Sequence, residues 1–288
     1  MMSENITHTA VCDDYLRLMS QMSGICDAFK QSAVEHLDIA QLGAVTRSTD
    51  RFNPELLKRL RDNWDKRQPK DNFELKLAYS LGALCHRAAD RTMKPVFEEA
   101  APDDKQSPKD VSIYHDVFLF REVYKEGVEK PYSPEMFGME TPFEEHFRVL
   151  FQRALLSIHT FIPDVGNAEE WLDKLFSRRQ QFYVEIARYA KAYYHPNPEK
   201  TRRYIVDVNF YDSNDDLVKF ARAIQSGKAV DEDAVKNALA SGKNESKYAQ
   251  ALARGLGYLK VANRFFIGKM SFEDMKTAFD IGKPDVER

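Results

Sequence analysis

Within Leu75 to Phe97, LKLAYSLGALCHRAADRTMKPVF, a histidine and an aspartate stand four residues apart: His86 and Asp90. On a helix that spacing puts both side chains on one face, one turn above the other. A neutral imidazole and a carboxylate so placed can grip one divalent cation. Alone, such a pair is more often a hydrogen-bonded core histidine and a carboxylate near a helix end. The small residues Ala78, Gly82 and Ala83 come just before the pair. They would let a second helix approach closely and bring further ligands.

Other residues could complete such a site. His8 lies at the start of the first predicted helix, where a side chain can look into a neighbouring cleft; a surface histidine at a chain end is the ordinary alternative. Asp50 falls in the loop GAVTRSTDRFN, Gly43 to Asn53. Loops carried by helices often supply residues that act on substrate, although a lone Asp is more often a turn residue. His115 and Asp116 form a dipeptide in the first two turns of VSIYHDVFLFREVY. Its value depends on His86 and Asp90 being close in space. His36, between Glu35 and Asp38, suits a ligand or a solvated face equally. His159 sits on an apolar run and reads as a core residue. The cysteines are Cys12, Cys26 and Cys85, an odd set without a CxxC, so small buried thiols are expected rather than a disulfide framework.

The elements that must position these residues are helices. Apolar residues recur at three-and-four spacing through most of the chain, which predicts an all-α fold. Helices are expected near 8–22, 25–41, 54–67, 72–93, 108–126, 141–162, 167–194, 214–226, 231–240, 246–268 and 271–281. Thr7 should cap the first, with Asp13 and Asp14 favouring its early turns, and Asn53-Pro54 should open the third. Period-2 alternation is visible only in YIVDVNF, Tyr204 to Phe210. The Pro-rich joint HPNPEK suggests a division into a helical, site-bearing part, 1–195, and a C-terminal helical extension packed on it, 196–288; one continuous domain fits too.

The chain has 288 residues, enough for a sizeable core. With 43% hydrophobic and 30% charged residues, it reads as globular. A formal net charge of −3 gives no electrostatic reason to expect nucleic acid. No apolar run has the length of a membrane span. The N-terminus lacks a basic segment followed by an apolar core, so a cytoplasmic location is expected.

Taken in order, His8, loop residue Asp50, the apolar helix LGALCHRAADRTMKPVF with its HxxxD and proline, and the later His115 resemble the zinc-dependent phospholipase C family. Its fold is shared by the single-strand-specific zinc nucleases. The resemblance covers about residues 6–124 and implies a multi-helix phospholipase C-like bundle. By resemblance, His86 and Asp90 bind metal, Asp90 can bridge two ions, and His8 binds one of them. Asp50 binds metal and orients or deprotonates the attacking water, and His115 serves a further ion; the glutamate that the family has four residues on is Leu119 here, so that Asp116 or Glu122 would substitute. The family pattern places more histidines shortly after the loop aspartate and two residues after the proline, where this chain has Trp64, Asp65 and Phe97. One or two zinc ions are therefore implied rather than three. The implied activity is phosphoester hydrolysis, on a small molecule or a lipid headgroup.

Two alternatives stand beside this reading. An HD-type metal phosphohydrolase would use His36 or His86, the pair His115-Asp116 and a distal Asp such as Asp164, with His8 remote. A non-catalytic helical binding or assembly protein that keeps the fold would leave the histidines scattered or capped by hydrogen bonds.

Overall fold

The computed structural model describes residues 5–46, 49, 52–99, 112–125 and 202–280. The described chain is an all-α, multi-helix fold without a strand. The predicted helices at 141–162 and 167–194 lie outside the described residues, as do Asp50, His159 and Asp164.

The long helix α5, Phe73–Glu99, is the element against which others pack. It meets α1 (Asn5–Ser20), α2 (Asp27–Glu35), α3 (Leu37–Val45), α4 (Asn53–Asn63) and, from far along the chain, α9 (Lys247–Phe266). The sequence dictates the closest of these contacts. A Cβ on Gly82 would run into the Ala40 carbonyl oxygen, and one on Gly43 into the Tyr79 carbonyl oxygen. Two helices thus meet backbone to backbone, each contributing one glycine, with Ala40, Ala44, Ala78 and Ala83 fully buried around them. The small residues of α5 do admit a second helix; what that helix brings is described below.

The predicted single helix at 25–41 is two helices, broken at His36, where φ is −132° and ψ 48°. The His36 N–H still reaches the Ser32 carbonyl at 3.1 Å, and its own carbonyl accepts from Ile39 and Ala40. Both backbone groups of His36 are thus paired at the turn, and both α2 and α3 lie on α5. Asn53 is not the cap of α4 but its first residue. It is buried and exchanges hydrogen bonds with Ser80 of α5, Nδ2 to the Ser80 carbonyl at 3.1 Å and Ser80 Oγ to Oδ1 at 2.7 Å.

The remaining helices are α6 (Ser112–Glu122), α7 (Asp216–Gln225), α8 (Glu232–Ser241) and α10 (Phe272–Ala278). Asp231, Ser246 and Ser271 cap α8, α9 and α10 with their side chains. The alternating segment at 204–210 is not a strand. Arg202–Val206 forms a π-helical turn, closed by Asp207 N–H to Arg202 O at 2.9 Å and continued by Phe210 N–H to Ile205 O at 2.8 Å. It buries Tyr204, Ile205 and Phe210 and leaves Val206 65% exposed, so the apolar residues are sorted by a wide turn rather than by the two faces of a strand. No described helix is long and apolar enough to cross a membrane.

Candidate metal centre

Helix α1 runs along α5 and brings His8 to the face that carries His86 and Asp90. His8 Nε2 lies 3.1 Å from Asp90 Oδ1, and His86 Nε2 lies 3.5 Å from Oδ2. The two imidazoles stack, with ring centroids 4.5 Å apart and planes 25° from parallel. Both histidines are buried, at 3% and 4% exposure. One donor atom from each of the three residues falls within 4.8 Å of the others. Donors bound tetrahedrally at about 2.05 Å stand about 3.3 Å apart. The separations of 3.1 and 3.5 Å, to the two oxygens of Asp90, are of that order, so the group could hold a divalent ion.

Helix α3, admitted by Gly82, supplies no ligand but orients one. His86 Nδ1 is 2.8 Å from the Ala44 carbonyl oxygen. A carbonyl only accepts, so Nδ1 carries a proton and Nε2, the nitrogen facing Asp90, is the one that can give up its proton to an ion. This is the arrangement by which metal-binding histidines are held in one tautomer.

Burial works against the charge on Asp90, but His86, His8 and Lys94 outweigh it and hold the carboxyl well below the usual carboxylate range. Lys94, one turn further along α5, places its ammonium 2.8 Å from Asp90 Oδ2. Sequence reasoning passed over Lys94, although its i,i+4 spacing from Asp90 was there to be read.

The other predicted residues are elsewhere. His115 is fully buried, donates from Nε2 to the Tyr204 carbonyl at 2.6 Å and stacks on Phe210 at 3.9 Å. Burial pushes it down to about 4. It fastens α6 to the π-helical turn and does not join the three-residue group. Asp116 also stands outside the group; its Oδ1 accepts from the backbone N–H and the hydroxyl of Thr7, at 2.8 and 2.6 Å. Thr7 is therefore not the cap of α1. Asp116 satisfies a first-turn N–H from across the fold and fixes the residue immediately before His8. His36 lines an open groove of about 600 Å3 with Glu35, Arg67, Gln68, Asn72 and Glu74. An HD-type centre needs His115 and Asp116 on one ion and His8 remote; the described residues put His8 beside His86 instead.

A second buried polar cluster was not anticipated. Because α1 is already helical at Asn5, Asp13 and Asp14 fall in its interior, not in its early turns. Asp13 accepts from Gln41 at 2.8 Å and Tyr124 at 2.9 Å. Burial raises it to about 6, against the pull of Arg17 and those two donors. Asp14 takes Arg17 at 2.7 Å, Tyr248 at 2.8 Å and a close contact from Arg222.

No protein-family model matches the chain, and no curated protein or solved structure matches it significantly.

Proposed function

We propose that the chain is a metal-dependent phosphoester hydrolase that binds zinc through His8, His86 and Asp90. One observation carries this reading: α1 delivers His8 onto the His86–Asp90 face across 82 positions of sequence, at ligand spacing. The type of donor supports zinc, since two imidazoles and a carboxylate suit that ion. Three protein donors leave a fourth position open, as catalytic zinc sites do and structural sites do not. When bound, the ion makes a water nucleophilic at neutral pH and offsets charge on phosphoryl oxygens. The protein's own part is orientation: Ala44 fixes the His86 ring, Asp116 fixes the turn that carries His8, and Asp90 faces both rings. Asp50 takes the water-orienting role by resemblance, and so does the phospholipase C-like identity of the bundle.

The test is metal content and turnover measured together. Zinc should copurify or bind stoichiometrically, and His86→Ala and Asp90→Asn should each lose it. Hydrolysis of a nitrophenyl phosphodiester or phosphomonoester should vanish with chelator and return with zinc. Asp50→Asn should keep most of the metal and lose the hydrolysis, because asparagine lacks the charge and basicity of a general base.

A specific observation favours the non-catalytic reading. Trp64 stands where the family pattern asks for a histidine. It packs against Phe73 and Phe266, with the Arg67 guanidinium 4.3 Å above its ring. That position serves packing, not metal. A protein that holds zinc but turns over neither lipid, nucleotide nor model phosphoesters would be a binding protein on this fold.

A further inference from the structure

Asp90 is shared between both histidines and a cation that belongs to the chain. Lys94 reaches the same carboxylate from the outer end of the site, with its ammonium 2.8 Å from Oδ2. Its side chain is 37% exposed, against 15% for Asp90. Lys94 is thus the more solvent-exposed partner, while the carboxylate is held between two buried rings.

We propose that Lys94 is a resident competitor for the metal: its ammonium neutralises Asp90 in the metal-free protein, and a divalent ion enters by exchange with it. This rests on the metal-binding reading above. An ion held by Asp90 must approach one of its oxygens to about 2.0–2.2 Å. An ammonium still 2.8 Å from Oδ2 would then lie within a few ångströms of a divalent charge in a part-buried setting, where repulsion is weakly screened. Lys94 therefore moves off toward solvent as the ion arrives. The residue type suits exchange. A lysine ammonium is a point charge on a flexible four-carbon stem, whereas an arginine would grip the carboxylate with a planar fork. The arrangement has two consequences. A buried carboxylate is never left without a cation, so α1 and α5 can pack before metal arrives. Metal affinity is also set below what the three ligands alone would give.

The experiment is zinc titration calorimetry on the full chain, stripped with chelator and dialysed. It compares wild type, Lys94→Met, Lys94→Gln and His86→Ala. Melting curves without zinc confirm that each variant is folded, and the two Lys94 variants guard against a local defect in either one. Both Lys94 variants should bind zinc about tenfold tighter, the scale expected for losing one ion pair and one repelling charge. His86→Ala should lose binding. Lys94 variants that bind no tighter than wild type, while His86→Ala still loses zinc, would overturn the competitor role and leave the metal site standing. Absence of zinc binding in wild type and in both Lys94 variants would remove the metal reading, and this proposal with it.

Discussion

Asp13 shows at residue scale how a position in a helix decides what a charge does. An acidic pair near the start of a predicted helix reads as a match to the helix dipole. The helix already runs at Asn5, which places the pair further in, where Gln41 and Tyr124 meet Asp13. Its ordinary value is 3.8 and its folded value about 6. Between those values the folded state binds more proton than the unfolded state. The group therefore stabilises the fold fully below pH 3.8, and that contribution is lost as pH rises through about 6. Two units correspond to about 3 kcal/mol. His115, pushed down to about 4, acts in the opposite sense: its contribution is present above the ordinary 6.5 and is lost as pH falls through 4. Asp90, also lowered, likewise weakens the fold as pH falls. Urea unfolding of wild type and Asp13→Asn across pH 4.5 to 6.5 separates these. Wild type should gain on the variant by about 2 kcal/mol toward the acid end. Parallel pH profiles would mean that Asp13 does not titrate in this window. The candidate site shows the same limit on what can be read locally. His86 and Asp90 were legible because four-residue spacing is a local property. Their meeting with His8 rested on family order alone, because tertiary approach leaves no local pattern.

At the scale of elements, helical periodicity gave nearly every described helix to within a few residues. It failed where tertiary packing intervened. Nothing in Glu35, His36 or Leu37 breaks a helix; the bend lets α2 and α3 both lie on α5. Alternation at 204–210 is a false strand signal: the wide turn buries Tyr204, Ile205 and Phe210 and leaves the alternating Val206 exposed. The crossing of α3 and α5 was half legible: Gly82 announced a close neighbour but not which one. Gly82→Ala tests it. Alanine in a helix interior normally gains up to about 1 kcal/mol over glycine. Here its Cβ meets the Ala40 carbonyl, backbone that cannot swing aside. The variant should instead lose about 1–3 kcal/mol, the usual cost of overpacking. Moving α3 also moves the Ala44 carbonyl off His86 Nδ1. Zinc affinity should therefore fall about tenfold or more, as it typically does when a ligand histidine loses the partner that orients it. A stabilised Gly82→Ala variant with unchanged zinc affinity would refute the close crossing.

For the whole molecule, the question is whether the C-terminal helices are an extension or part of the core that holds the site. They share that core. Tyr248, Leu252, Leu256, Leu259 and Phe265 of α9 are fully buried, and Gly255 lies against Tyr15 of α1 and Ala88 of α5. Asn263 braces the α1–α2 turn, accepting from Cys26 N–H and donating to the Gly24 carbonyl, each at 2.9 Å. Arg87, one residue after His86, bonds the Phe279 carbonyl at 2.6 Å and the Asp280 carbonyl at 2.5 Å. At about 2 kcal/mol each, the five apolar side chains of α9 alone approach the whole stability margin of an ordinary protein, about 5–15 kcal/mol. A chain ended after Tyr211 should therefore lose the cooperative melting transition seen by circular dichroism, and with it stoichiometric zinc. Zinc added to the full chain at about a hundred times its dissociation constant should raise stability by about 2.7 kcal/mol, because only the folded state presents the site. The truncated chain should show no such gain. If it melts cooperatively and still binds zinc, the part bearing His8, His86 and Asp90 is a domain in its own right, and α9 only covers it.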